Sequence, residues 1–200
     1  MVCAFSHRRI RRAGQVAWTS LSWKTVEALH ADTHALSVLG NVLGGGVTAR
    51  LYQALVEHSL ALSVTVVAWQ LRDPALFSVF APVRPGVEVS AVESVIRAEA
   101  ARVARDGITE AELAKARTQI EAEVIFDRDS TDQIAASLSE AIAVASWEWY
   151  ADYTAAIAAV TVGDVQRVAQ KYFVDGGLTV GTFLPKPGAE PANETEEESE

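Results

Sequence analysis

From Gln15 to Trp23 polarity alternates along the chain, with Val16, Trp18, Ser20 and Ser22 on one side and Ala17, Thr19, Leu21 and Trp23 on the other. A two-residue period predicts a strand. From Asp32 to Leu43 the period lengthens: Leu36, Leu39, Val42 and Leu43 fall on one helical face, and Asp32 stands where an N-cap belongs. Three glycines, Gly44, Gly45 and Gly46, interrupt the pattern, and Thr48 is placed to cap a second short helix ending at Glu57. Leu60 to Leu71 is rich in β-formers and predicts a long strand. Arg72-Asp73-Pro74 turns the chain into a second strand, Leu76 to Val83, and the two predict a hairpin closed by Pro82, Pro85 and Gly86.

Helical spacing then dominates. Ser90-x-x-Glu93 has the form of a capping box opening a helix to Arg105, and Asp106-Gly107 ends it. Thr109-x-x-Glu112 opens another, with Leu113, Ala116, Ile120 and Val124 inward, running to Arg128. A helix from Ser130 or Thr131 places Ile134, Leu138, Ala141 and Ile142 inward, and a further helical segment covers Trp149–Ala159. Thr161-x-x-Asp164 opens the last helix, Gly176-Gly177 ends it, and Leu178 to Leu184 is a strand. Strands at both ends of the chain around a helical block predict an α+β fold, a mostly antiparallel sheet with helices packed on one face.

Composition bounds the function. Half of the 200 residues are hydrophobic, enough for a sizeable core. No stretch is apolar enough to predict a membrane span. The net charge is −9, and six of those charges are Glu190, Glu194, Glu196, Glu197, Glu198 and Glu200, in a stretch without a base. Residues 186–200 therefore predict an acidic disordered tail, 15–185 one domain, and 1–14 a basic flexible N-terminus carrying Arg8, Arg9, Arg11 and Arg12. No clustered basic face predicts a nucleic-acid partner. The lone cysteine, Cys3, excludes an internal disulfide or thiolate metal site. The N-terminus lacks a secretory signal pattern. A cytoplasmic location is then the default, and a periplasmic or mitochondrial one follows if the start is truncated. Without a signal, Asn193-Glu194-Thr195 reads as a chance match to a glycosylation acceptor.

Candidate chemistry is sparse. His30 and His34 are spaced i, i+4, a zinc-compatible spacing. The acidic residue that zinc peptidase helices place between the histidines is missing, since Ala31 and Thr33 occupy its two possible positions. Both histidines read as solvated residues at a helix entrance, and no metal site is predicted. The glycine run lacks the Lys-Ser/Thr of a P-loop. Ser59, His58 and Asp73 can be drawn together as a triad only by counting residues, and Trp147, Trp149 and Tyr150 read as core or interface.

Set in order, several landmarks resemble the C-terminal half-domain of the M16 (insulinase/pitrilysin) peptidases, closest to the processing-peptidase branch. They are Asp32 through Leu43-Gly44-Gly45-Gly46-x-x-x-Arg50-Leu51-Tyr52-Gln53, then Arg72-Asp73-Pro74-x-Leu76-Phe77. Gly107-Ile108-Thr109-x-x-Glu112-Leu113 and Val160-Thr161-x-x-Asp164-Val165-x-x-Val168-Ala169-x-Lys171-Tyr172 continue the series. The resemblance covers residues 15 to 185.

It implies a clamshell. One half carries zinc on an inverted H-x-x-E-H helix, absent from this chain, and the other half closes over a chamber in which peptides bind extended along a sheet edge. It further implies that active relatives place an arginine and a tyrosine of this half near the developing oxyanion. Val56 and Leu62 stand at those positions here and can donate no hydrogen bond. The expectation is a non-catalytic half. Gly44, Gly45, Gly46, Arg50 and Tyr52 would line the chamber together with the 60–83 hairpin, with zinc in a partner half, in a separate subunit or in an upstream part of a longer chain. Homodimerisation through the open clamshell face, a purely structural or assembly role, and a decayed remnant without peptidase activity are the alternatives.

Overall fold

The computed structural model describes residues 6–126 and 130–186. Five strands form one sheet in the order β1-β5-β2-β4-β3. They are β1 Ser6–Arg12, β2 Trp18–Lys24, β3 Thr65–Ala68, β4 Leu76–Pro82 and β5 Leu178–Pro185. The sheet is mixed: β1 runs parallel to β5, and the other three pairings are antiparallel. The alternation in β2 lies as its sequence predicts, with Thr19, Leu21 and Trp23 buried under the helices and Trp18 exposed on the opposite face.

Six α-helices are described: α1 Thr33–Gly44, α2 Val89–Asp106, α3 Glu110–Phe126, α4 Thr131–Val144, α5 Trp147–Ala159 and α6 Val162–Tyr172. Helix α1 lies against β3 and α2 against β2, with α6 between α1 and α2 and α3 beside α1. One core joins them, built around Leu21, Phe77 and Val79 of the sheet, Leu39 and Leu43 of α1, Val92 and Ile96 of α2, and Val165 and Val168 of α6. Two capping boxes form. The Thr161 hydroxyl accepts from the Asp164 N–H while Asp164 accepts from the Thr161 N–H. Thr109 and Glu112 exchange the same pair of bonds.

The structure corrects several expectations. Ser6–Arg12, read as a loose basic end, is an edge strand because its backbone completes the free side of β5. The long strand expected over Leu60–Leu71 shrinks to Thr65–Ala68 plus one bridge, Ala61 to Val83. The N–H groups of Leu60 and Ala61 instead bond back to the Leu55 carbonyl, closing the preceding helix. That helix begins at Arg50, two residues after Thr48, and is π-helical over Tyr52–Glu57. The Thr48 hydroxyl does not cap it but accepts from Lys115 Nζ.

Ser90 does not cap α2, which starts at Val89. Its expected partner Glu93 turns to the sheet, accepting from the Thr19 and Thr182 hydroxyls at 3.1 and 3.0 Å. Those two threonines are buried, and a buried hydroxyl needs an acceptor more than a solvated helix end needs a cap. Asp32 precedes α1 but caps nothing through its side chain. In α4, Ala141 is buried while Ile134 and Ile142 are exposed, since this helix packs on α5 and not over the sheet. The expected end of α3 at Arg128 and the acidic segment from residue 187 onward lie outside the described residues.

Candidate functional site

Helix α1 carries a stripe of small and polar residues, Ser37, Gly40, Asn41 and Gly44, at the 3–4 spacing that puts them on one face. With so little side-chain bulk, that face leaves a cleft of about 540 Å³. Val66, Val67 and Ala68 of β3 form one wall, Ile120 and Val124 of α3 another, and Ser137, Ala141 and Val144 of α4 a third. Trp149, Tyr150 and Tyr153 of α5 close it. Strand β3 ends the sheet, so among the described residues the backbone edge opposite β4 has no strand partner. The polar groups within reach are few. Gln70 Nε2 donates to the Ser37 hydroxyl at 2.6 Å. Asn41 Oδ1 and Trp149 Nε1 are buried and have no partner among the described residues.

The tri-glycine run shapes one end of the cleft. A Cβ on Gly44 would lie 2.6 Å from Cβ and Cγ2 of Val66, so α1 and β3 approach as closely as they do only with glycine there. Gly46 has φ +84°, the left-handed region that an L-side chain rarely adopts. The Gly45 carbonyl accepts from Gln119 Nε2 at 3.3 Å. Gly44 and Gly45 line the cleft; Gly46, Arg50, Tyr52, Val56 and Leu62 do not.

Arg50 is engaged elsewhere. Its Nε and Nη2 donate to the two carboxylate oxygens of Glu112 at 2.6 and 2.8 Å, and Nη2 also donates to the Gly107 carbonyl at 3.2 Å. This fork ties the tri-glycine junction to the start of α3. The Arg50 guanidinium holds the Glu112 carboxyl down at about 2, against the opposing effect of burial and helped by the Thr109 N–H and hydroxyl. A depressed carboxyl contributes stability above its unfolded pKa, about 4.3, and loses that contribution as pH falls toward its folded value. Arg50→Ala is expected to lower unfolding free energy by about 1.5 kcal/mol at neutral pH. Urea titrations should show this gap closing below about pH 4.

Tyr52 and Val56 are half-buried in the π-helical segment. Leu62 is 46% exposed. None of the three adds a polar contact to the cleft.

The two spaced histidines do not fit zinc. His30 Nδ1 accepts the Asp32 N–H at 3.0 Å. His34 is half-buried against the rings of Trp149 and Tyr153, at 6.3 and 5.5 Å between centroids, and burial lowers its pKa. Among the described residues no group of three or more His, Cys, Asp or Glu could hold a metal ion. No described helix is long and apolar enough to cross a membrane.

The sequence model of the peptidase M16 inactive domain matches residues 4–120. The chain belongs to the M16 peptidase family, as an inactive-type domain. It is 29% identical to the zinc protease PqqE of Helicobacter pylori over 171 residues, 85% of this chain and 38% of that protein. It is 33% identical to an uncharacterised zinc protease of Streptomyces coelicolor over 142 residues, 68% of this chain and 30% of the other. A crystal structure of a protease from Helicobacter pylori superposes with a TM-score of 0.86 at 26% identity, over 92% of this chain and 45% of the other. The inactive peptidase domain of a protein described as a zinc protease from Bordetella parapertussis superposes with a TM-score of 0.80 at 25% identity, over 92% of this chain and 98% of that one. The M16 domain described here thus spans well under half the length of the curated zinc proteases it matches.

The sequence points to the tri-glycine junction and the 60–83 hairpin as chamber lining, but not to a cleft walled by α3, α4 and α5. The aromatic wall on α5 was visible only as core or interface, and the edge of β3 was hidden inside a strand expected to be longer. The one signal that could have found it is the Ser37–Gly40–Asn41–Gly44 stripe, an interruption of small residues along one face of an apolar helix.

Proposed function

We propose that this M16 domain is the non-catalytic half of a zinc peptidase and forms the peptide chamber together with a zinc-bearing half. The cleft along the unpaired edge of β3 carries the proposal. An extended peptide can lie there as an added strand, its backbone bonding to β3 and one side chain entering the space beside Trp149 and Tyr153. Asn41 Oδ1 and Trp149 Nε1 offer the acceptor and the donor that a peptide N–H and C=O require. Zinc and the water it activates would belong to the other half.

The test mixes the domain with a zinc-bearing M16 half and follows cleavage of an unstructured peptide. Cleavage that needs both halves supports the proposal. Stable association with no gain in cleavage overturns it in favour of a structural or assembly subunit. In the same assay Ser137→Trp, which fills the cleft from α4, should reduce cleavage about tenfold while leaving the far-ultraviolet circular dichroism of the domain unchanged.

A further inference from the structure

Strand β1 is the other edge of the sheet, and one side of its backbone has no strand partner among the described residues. It is also the most basic segment of the molecule. Arg8, Arg9, Arg11 and Arg12 are all exposed, and none makes an ion pair with a described residue. Alternation along the strand puts Arg8 and Arg12 with Ile10 on one face and Arg9 and Arg11 on the other. The free edge is therefore flanked by two guanidinium groups above and two below. An apolar strand would not satisfy it; an extended acidic one would.

The chain itself supplies an acidic segment. Residues 188–200 contain six glutamates and neither lysine nor arginine. They begin three residues past the end of β5, which lies beside β1: Pro185 is in register with Arg12, and the Lys186 N–H donates to the Arg12 carbonyl at 2.9 Å. We propose that the outer edge of β1 is the docking site of the chain's own acidic segment, residues 188–200. The reach suffices. Neighbouring strands lie about 4.8 Å apart, so the far side of β1 is roughly 10 Å from β5. The four steps from Lys186 to Glu190 span up to about 14 Å, with Pro187-Gly188 well suited to the turn. Six glutamates against four exposed arginines supply the charge complementarity that this edge asks for. The docked segment would close an edge that otherwise invites pairing with another chain. It would hold through charge, and it is independent of any zinc-bearing partner.

The experiment compares the full chain with a version ending at Pro187, both labelled with nitrogen-15. Removing the segment should shift the β1 amide resonances and speed their hydrogen exchange at least about tenfold. Raising the salt of the full chain to ~1 M, where the screening length falls to ~3 Å, should produce the same shifts. In a full-length variant with Arg8, Arg9, Arg11 and Arg12→Gln, truncation should no longer change β1. Three results overturn the proposal: unchanged β1 amides on truncation, shifts confined to another surface, or a truncation effect that survives the four glutamines. β1 shifts that follow protein concentration instead of truncation also overturn it, in favour of a second copy at this edge.

Discussion

Asp32→Ala is expected to lower the unfolding free energy by about 3 kcal/mol at neutral pH, measured from urea midpoints. The carboxylate is buried and accepts three hydrogen bonds from α6: from Lys171 Nζ at 2.8 Å, from the Tyr172 hydroxyl at 2.6 Å and from Arg167 Nη1 at 2.5 Å. It thereby fastens the start of α1 to the end of the chain's last helix. Arg167 and Lys171 are half-exposed and recover water when the carboxylate is gone, so their share of the loss is modest. Tyr172 is buried, and its hydroxyl would be left without an acceptor, which costs about 1–3 kcal/mol by itself.

The pH dependence carries a definite sign. Burial alone would raise the Asp32 carboxyl, but the bonds from Lys171, Tyr172 and Arg167 outweigh it and hold the group well below the usual carboxylate range. Its contribution is complete above the unfolded value of about 3.9 and declines as pH falls below that. The difference between wild type and Asp32→Ala should therefore narrow by about 1 kcal/mol between about pH 6 and pH 3. An unchanged difference would show that the carboxylate is not ionised in this network.

Gly44→Ala is expected to cost about 2 kcal/mol, although alanine is the better helix former by roughly 1 kcal/mol. The added methyl would meet Val66 at 2.6 Å, and the Val66 backbone nitrogen at 3.3 Å leaves that residue little room to retreat. Strand β3 is four residues long and has one strand neighbour among the described residues, so it yields more readily than α1, which is fixed in the core. The clash is specific to one pair of residues. Combining Gly44→Ala with Val66→Gly should therefore cost at least about 1 kcal/mol less than the sum of the two single changes. Additive losses would mean that the glycine is needed for some reason other than the approach of β3. Because Gly44 and Val66 both line the cleft, the single variant should also weaken any peptide that binds along β3.

Much of the architecture could be read from the sequence because its signals are local. The Thr161–Asp164 and Thr109–Glu112 boxes form as their spacing predicts, the alternation of β2 gives its buried face, and α1 follows its leucines. Strand β1 was not legible: a run of arginines around a single isoleucine has no apolar face, and it pairs only because β5 offers a free edge. The Ser90–Glu93 box failed for the opposite reason. Its spacing is correct, but two buried threonines in β2 and β5 take the glutamate away.

From residue 15 onward, the sequence by itself determined the kinds of element, their order and the family to which the domain belongs. Periodicity, caps and glycine breaks act within about four residues of the positions that carry them. Only the tertiary structure decided what those residues touch. Asp32 meets partners at least 135 positions away, Arg50 meets Glu112, and Gly44 makes room for Val66. The cleft, likewise, is a space between α1, β3, α3, α4 and α5, and it exists only once segments distant in the chain have packed against one another.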